Sequence, residues 1–211
     1  MNYLAHAVLA KQNPYSLTGN LLGDFCKGVQ VGSLHPDIKA GLDNHRATDR
    51  FTDSHIIVRT AKAGFSQGRR RFAGVALDVL FDHFLIRHWQ QFYSAPFADY
   101  KLKLYQHLSE AMPLMPLPMQ QTMLRVCRYD WFASYQHLSG LGQALDHIAG
   151  RIRFANNFGG IIDEITPRYA ELEQSFLQFY PQLQRHLQQL ALESDAGRGS
   201  IPTEPTPNVY D

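Results

Sequence analysis

His45, Asp49 and Asp53 stand four residues apart in the segment Gly-x-x-x-His-Arg-x-x-Asp-x-Phe-Thr-Asp-x-His that runs from Gly41 to His55. A second set downstream, Asp78 and Asp82-His83, repeats the spacing inside a strongly apolar segment. A helix turns about 100° per residue, so residues four apart lie nearly above one another and each set makes one stripe on a helix face. Imidazole with several carboxylates suits Mn²⁺, Fe²⁺ or Zn²⁺, while carboxylates alone suit Mg²⁺. The two sets therefore predict a metal site. Cys26 and Cys127 are far apart and supply neither a disulfide framework nor a zinc motif.

The helix that carries Asp78 and Asp82 is apolar nearly all round (Val75, Leu77, Val79, Leu80, Phe81, Phe84), which predicts that it is buried. A buried carboxylate without a partner costs several kcal/mol, so both aspartates need a cation: a metal, or an arginine on a neighbouring helix. Asp53 and His55 fit equally well near a turn, where aspartate bonds its own backbone. Arg46 offers a planar fork for a phosphate, or pairs with Asp43 or Asp49 on its own helix.

The elements that must position these groups read as helices. Asn2 to Lys11 is a short apolar helix with His6, broken at Asn13-Pro14, and Ser16 caps a second that carries Asp24 and runs through Lys27. His35-Pro36-Asp37 opens a long helix to Ala63, because proline suits a first turn. Arg69-Arg70-Arg71 leads into the buried helix, which ends near Phe92. Further helical patterns cover 97–110, 118–127, 130–138, 140–154 and 163–192, with no strand-like alternation flanked by hairpin turns. The expected fold class is all-α, one helical bundle over 1–193. Residues 194–211, rich in Gly, Pro and Thr, read as a disordered tail.

With 211 residues, 45% of them hydrophobic and 12% aromatic, the chain suffices for one full core. A formal net charge of +1 gives no global field to draw it onto nucleic acid or anionic lipid. No apolar run reaches the ~20 residues of a membrane span, no leader pattern opens the chain, and so few cysteines suit a reducing cytoplasm, the expected location.

Four motifs in register carry a family resemblance: Met1-Asn2-Tyr3-Leu4-Ala5-His6; Ser16-Leu17-x-Gly19-Asn20-Leu21-Leu22-Gly23-Asp24-Phe25; Gly41-x-x-x-His45-Arg46-x-x-Asp49-x-x-Thr52-Asp53; and Leu77-Asp78-x-x-x-Asp82-His83-Phe84-Leu85. Their order and spacing resemble the acyl carrier protein phosphodiesterase family up to about Gln189. The resemblance implies an all-helical fold like that of the HD-type metal-dependent phosphohydrolases, and Mn²⁺ or Mg²⁺ as cofactor. It implies hydrolysis of holo-acyl carrier protein to the apo form and 4′-phosphopantetheine. Hydrolysis of a small nucleotide, as by other HD-type proteins, is the alternative.

Phosphodiester cleavage needs an activated water, neutralised phosphoryl oxygens and a proton for the departing alkoxide. On that chemistry His6, Asp24, Asp78 and Asp82 form the expected metal-ligand pool. His45 or His83 gives the proton to the serine oxygen, Arg46 holds the phosphodiester, and Asp49 ligates or orients. Acyl carrier proteins are acidic and helical, so the basic run Arg69, Arg70 and Arg71 is expected to dock the protein substrate, with an ordinary solvated loop as the alternative.

Overall fold

Local rules set where each helix starts and stops. The computed structural model describes residues 1–194 and contains no strand among them, as the periodicity predicts. The tail expectation falls on residues 195–211, outside those described. Helix α1 (Tyr3–Leu9) is followed by α2 (Pro14–Leu22), with proline in the first turn and Asn13, rather than Ser16, capping it by accepting from Ser16 N. A 3₁₀ turn, Gly23–Phe25, closes α2 and carries Asp24.

The expected helix 37–63 is two helices, α3 (Pro36–Ser54) and α4 (Ile56–Ala63), separated by His55 in an extended conformation at ψ 131°. Neither proline nor glycine marks this break. The His55 ring stands edge-on to Phe179, 5.1 Å between centroids, and its Nε2 meets Gln182 Oε1 at 3.3 Å, so tertiary contacts fix the bend.

Helix α5 (Ala73–Arg87) is the central element, and α6 (Trp89–Phe92) continues it after a break at His88. Leu80, Phe81, Phe84 and Leu85 on α5 have no exposed surface. The other helices are α7 (Phe97–Ala111), α8 (Leu117–Arg128), the short α9 (Trp131–Ser134), α10 (Leu138–Arg151), α11 (Ile162–Ile165) and α12 (Tyr169–Leu190); α10 and α12 pack on α5, and α7 packs on α2. The pattern over 163–192 is divided at Pro167, whose missing N–H turns the chain through a 3₁₀ segment before α12 begins. The buried apolar residues form one continuous core. No helix among the described residues is long and apolar enough to cross a membrane.

Two contacts position the site. Helices α2 and α3 approach backbone to backbone: a Cβ on Gly19 would lie 2.8 Å from Gly41 Cα and 2.2 Å from Ile38 O, so only glycine fits there. The second contact is the grip of α5 on α1. Asn2 provides no side-chain cap for α1; instead Asp82, fully buried on α5, accepts Leu4 N–H at 3.0 Å and Ala5 N–H at 2.9 Å. Opposite carboxylate oxygens take the two amides, fixing the height and rotation of the helix that carries His6.

Replacing Asp82 by alanine strands two buried amides, which costs about 2–4 kcal/mol. Asp82→Asn, which keeps one acceptor oxygen, should lose roughly half as much. Urea denaturation in the presence of chelator checks this with any metal contribution removed; an Asp82→Ala protein as stable as the parent would refute the grip.

Candidate metal centre

His6 from α1 and His45 and Asp49 from α3 converge at one end of the bundle, each offering a ligand atom within 4.8 Å of the others. The four-residue spacing puts His45 and Asp49 on one stripe, with His45 Nε2 3.0 Å from Asp49 Oδ2. His6 Nε2 lies 3.3 Å from Asp49 Oδ1, and the two imidazoles stack at 3.9 Å between centroids and 19° between planes. The α-ammonium of Met1 completes the cluster, 3.3 Å from Asp49 Oδ1 and 3.0 Å from Asp78 Oδ1.

The hydrogen bonds define which ring nitrogens carry protons. His45 Nδ1 lies 2.7 Å from Asn20 O, and a carbonyl only accepts, so Nδ1 carries a hydrogen. In the neutral ring Nε2 then points a lone pair at Asp49 Oδ2, and two acceptors at that distance require a proton or a cation between them. Burial alone would push His45 down, but the Asp49 carboxylate outweighs it and raises the pKa. His6 Nε2–H donates to Met1 O at 3.1 Å, which leaves Nδ1 buried without a partner among the described residues. Burial lowers His6 to about 4, so this ring stays neutral near pH 7. Burial would raise Asp49, yet the two imidazoles and the ammonium hold it well below the usual carboxylate range. Two imidazoles and an ionised aspartate, each with a ligand atom within 4.8 Å of the others, form a donor set that fits a divalent metal, and metal binding would take the Nε2 hydrogen of His6 or use its unpartnered Nδ1.

Over the cluster opens a cleft of about 380 Å³, lined by Gly23, Cys26, His45, Arg46, Asp49 and Arg50. Glycine at 23 is obligatory, since a Cβ there would fall 1.9 Å from His45 Nε2. Arg46 is half-exposed and pairs with Asp43 at 3.3 Å. Arg50 lies one turn further along the same face, exposed at the cleft, and was not singled out in the sequence; its i+4 relation to Arg46 was the available signal.

The remaining expected residues are distributed differently. Asp24 stands in the turn beside the cluster; crowding by the protein pushes its carboxyl up, against the pull of His45. Asp78 faces the Met1 ammonium. Asp82 spends both oxygens on α1, and burial raises its carboxyl to about 7 despite the two amides. His83 points elsewhere: Nδ1–H donates to Tyr135 O at 2.6 Å and Nε2 meets the Tyr169 hydroxyl at 2.7 Å. It joins a separate polar patch between α5 and α12, because adjacent residues on a helix lie about 100° apart.

The basic run is largely engaged by the protein itself. Arg69 donates to the carbonyls of Asn157, Gly159 and Gly160, and Arg70 to Phe65 O. Arg71 lies over the Phe72 ring at 4.5 Å and the Phe154 ring at 5.3 Å.

Residues 1–183 match the family model described as acyl carrier protein phosphodiesterase. A protein of that name from Serratia proteamaculans is 37% identical over 184 residues, which cover 87% of this chain and 95% of that protein. The Yersinia pestis protein of the same name is 35% identical over 189 residues, 89% of this chain and 98% of its own length. The Escherichia coli O157:H7 protein, again so named, is 33% identical over 193 residues, 91% of this chain and 100% of its own length. No solved structure matches the chain. With a cluster of histidine and aspartate built from the matched motifs, and a match that spans nearly the whole described fold, the chain belongs to the acyl carrier protein phosphodiesterase family.

Proposed function

We propose that this protein hydrolyses the phosphodiester between 4′-phosphopantetheine and the serine of holo-acyl carrier protein, with a divalent metal, Mn²⁺ or Mg²⁺, held by His6, His45 and Asp49. Family membership supports the substrate, and the convergence of three ligand groups beneath an open cleft supports the chemistry. A metal bound there would supply Lewis acidity and lower the pKa of a coordinated water.

The chain's own residues supply the rest. His6 presents a neutral ring, His45 turns Nε2 toward the cluster, and the groups around Asp49 hold its carboxyl well below the usual range. Asp78, facing the cluster through the ammonium, adds a second negative charge at its edge. In this reading Asp82 acts at one remove, by seating the helix that carries His6. Arg46 and Arg50, at the cleft, are assigned to the phosphodiester, where a guanidinium fork matches two phosphoryl oxygens.

Asp24 takes the proton-donor role in place of His45, read here as a ligand, and of His83, whose two nitrogens are engaged elsewhere. It stands next to Gly23, which lines the cleft, and its carboxyl is pushed up from the usual range, so it is assigned to hold a proton for the serine oxygen. Arg71, exposed just before α5 and in contact with the Phe72 and Phe154 rings, is retained as a docking contact for an acidic carrier helix.

Mass spectrometry of holo-acyl carrier protein incubated with the enzyme tests the reading. Loss of the phosphopantetheine mass should require Mn²⁺ or Mg²⁺, stop with chelator and fail in His45→Ala; full conversion in chelator would refute the metal, and hydrolysis of nucleotides beside an intact carrier protein would move the substrate to that class. Arg46→Ala and Arg50→Ala should each lower kcat/KM about tenfold or more, the scale of one charge-assisted hydrogen bond. Unchanged kinetics in both would remove them from the phosphate site. Asp24→Asn should lower kcat by about 10²-fold or more with Mn²⁺ affinity unaltered; a parallel loss of Mn²⁺ binding in calorimetry would make Asp24 a ligand instead.

A further inference from the structure

Glu193 lies beyond the part of the chain that the family model matches, three residues past the end of α12, yet its carboxylate is drawn into the packing of the α2 helix. Ala191 turns the chain back with φ 47°, in the left-handed region that L-residues rarely adopt. The turn delivers Glu193 to three donors. Lys11 N–H reaches Oε2 at 3.2 Å, the Ser16 hydroxyl meets both oxygens at 2.8 and 2.9 Å, and Asn20 Nδ2 meets Oε1 at 2.7 Å. Gly41 makes room for it, since a Cβ there would approach Oε1 to 3.0 Å.

Asn20 connects this clasp to the site. Its side chain has no exposed surface and is saturated: Nδ2 donates to Glu193 and to Ser16 O at 3.1 Å, and Oδ1 accepts from Asn44 at 2.9 Å. Its main-chain carbonyl, near the C-terminal end of α2, accepts His45 Nδ1–H. That bond holds a hydrogen on Nδ1 and turns Nε2 toward Asp49.

We infer that Glu193 is a positioning residue for the metal-facing imidazole of His45: by clamping Asn20 it holds the Asn20 carbonyl where it selects the His45 tautomer. The inference rests on the reading of His45 as a metal ligand and extends it to a segment outside the family's matched region. It follows the general pattern in which the other nitrogen of a ligating histidine is oriented by a carbonyl or carboxylate, and loss of such a partner weakens metal binding about 10–100-fold.

The test uses the full-length protein in two measurements. In the metal-free state, imidazole ¹⁵N NMR reads which His45 nitrogens carry hydrogen, and so the tautomer. Calorimetry with Mn²⁺ alone reads affinity. The parent should keep a hydrogen on Nδ1; Glu193→Ala should lose it in favour of the tautomer with hydrogen on Nε2 alone and weaken Mn²⁺ binding about tenfold, and Glu193→Gln, which keeps one acceptor oxygen, should fall between. A folded Glu193→Ala protein with parental tautomer and parental affinity overturns the inference. Should alanine prevent folding, the glutamine variant is read by the same two measurements, and parental values in it likewise overturn the inference. If His45→Ala leaves Mn²⁺ affinity untouched, the ligand reading fails by itself, and the metal-free tautomer still decides whether Glu193 positions the ring.

Discussion

A single buried carboxylate, that of Asp82, underlies the geometry of the site. It sits in the middle of the most apolar helix of the chain, where ionised oxygen is costly, and its stabilisation comes from the two amides that begin α1. Helix α1 is seven residues long, too short to persist on its own. The grip therefore works in both directions: α1 solvates Asp82, and Asp82 gives α1 a fixed place against the core. His6 inherits that place, since it lies within the first turns of a helix whose start is pinned.

The other half of the site depends on an absence of side chain. Gly19 and Gly41 let α2 and α3 touch through their backbones, and Gly23 leaves the space taken by the His45 ring. Close packing brings the Asn20 carbonyl to His45 and so determines which nitrogen faces Asp49. Charge then follows from geometry: an aspartate surrounded by two imidazoles and an ammonium is ionised whatever the surrounding pH in the ordinary range.

Much of this was legible in the sequence. The stripe formed by His45 and Asp49, the burial of α5 and the helical class follow from spacing and apolar periodicity, which are local properties. The demand of Asp82 for a partner was legible too, but the partner was not: backbone amides carry no residue signature. His83 was grouped with Asp82 because the two are adjacent, yet adjacency on a helix separates side chains rather than joining them. The break at His55 and the engagement of Arg69 by the carbonyls of 157–160 arise from segments distant in sequence, and no local pattern encodes them. Arg50 shares the face of Arg46, so the helical stripe encodes it although the motif does not.

The stacked imidazoles of His6 and His45 carry a dynamic consequence. Each ring covers the face of the other at 3.9 Å, and each is tethered at one nitrogen to a main-chain carbonyl. Neither can swing edge-on without displacing its neighbour, so the rings reorient together or not at all. The pair has a low tolerance for a second positive charge, because a His6 imidazolium would face that of His45 across van der Waals distance. The pair thus behaves as one stiff unit that accepts a single cation, with its aim fixed before any ligand arrives.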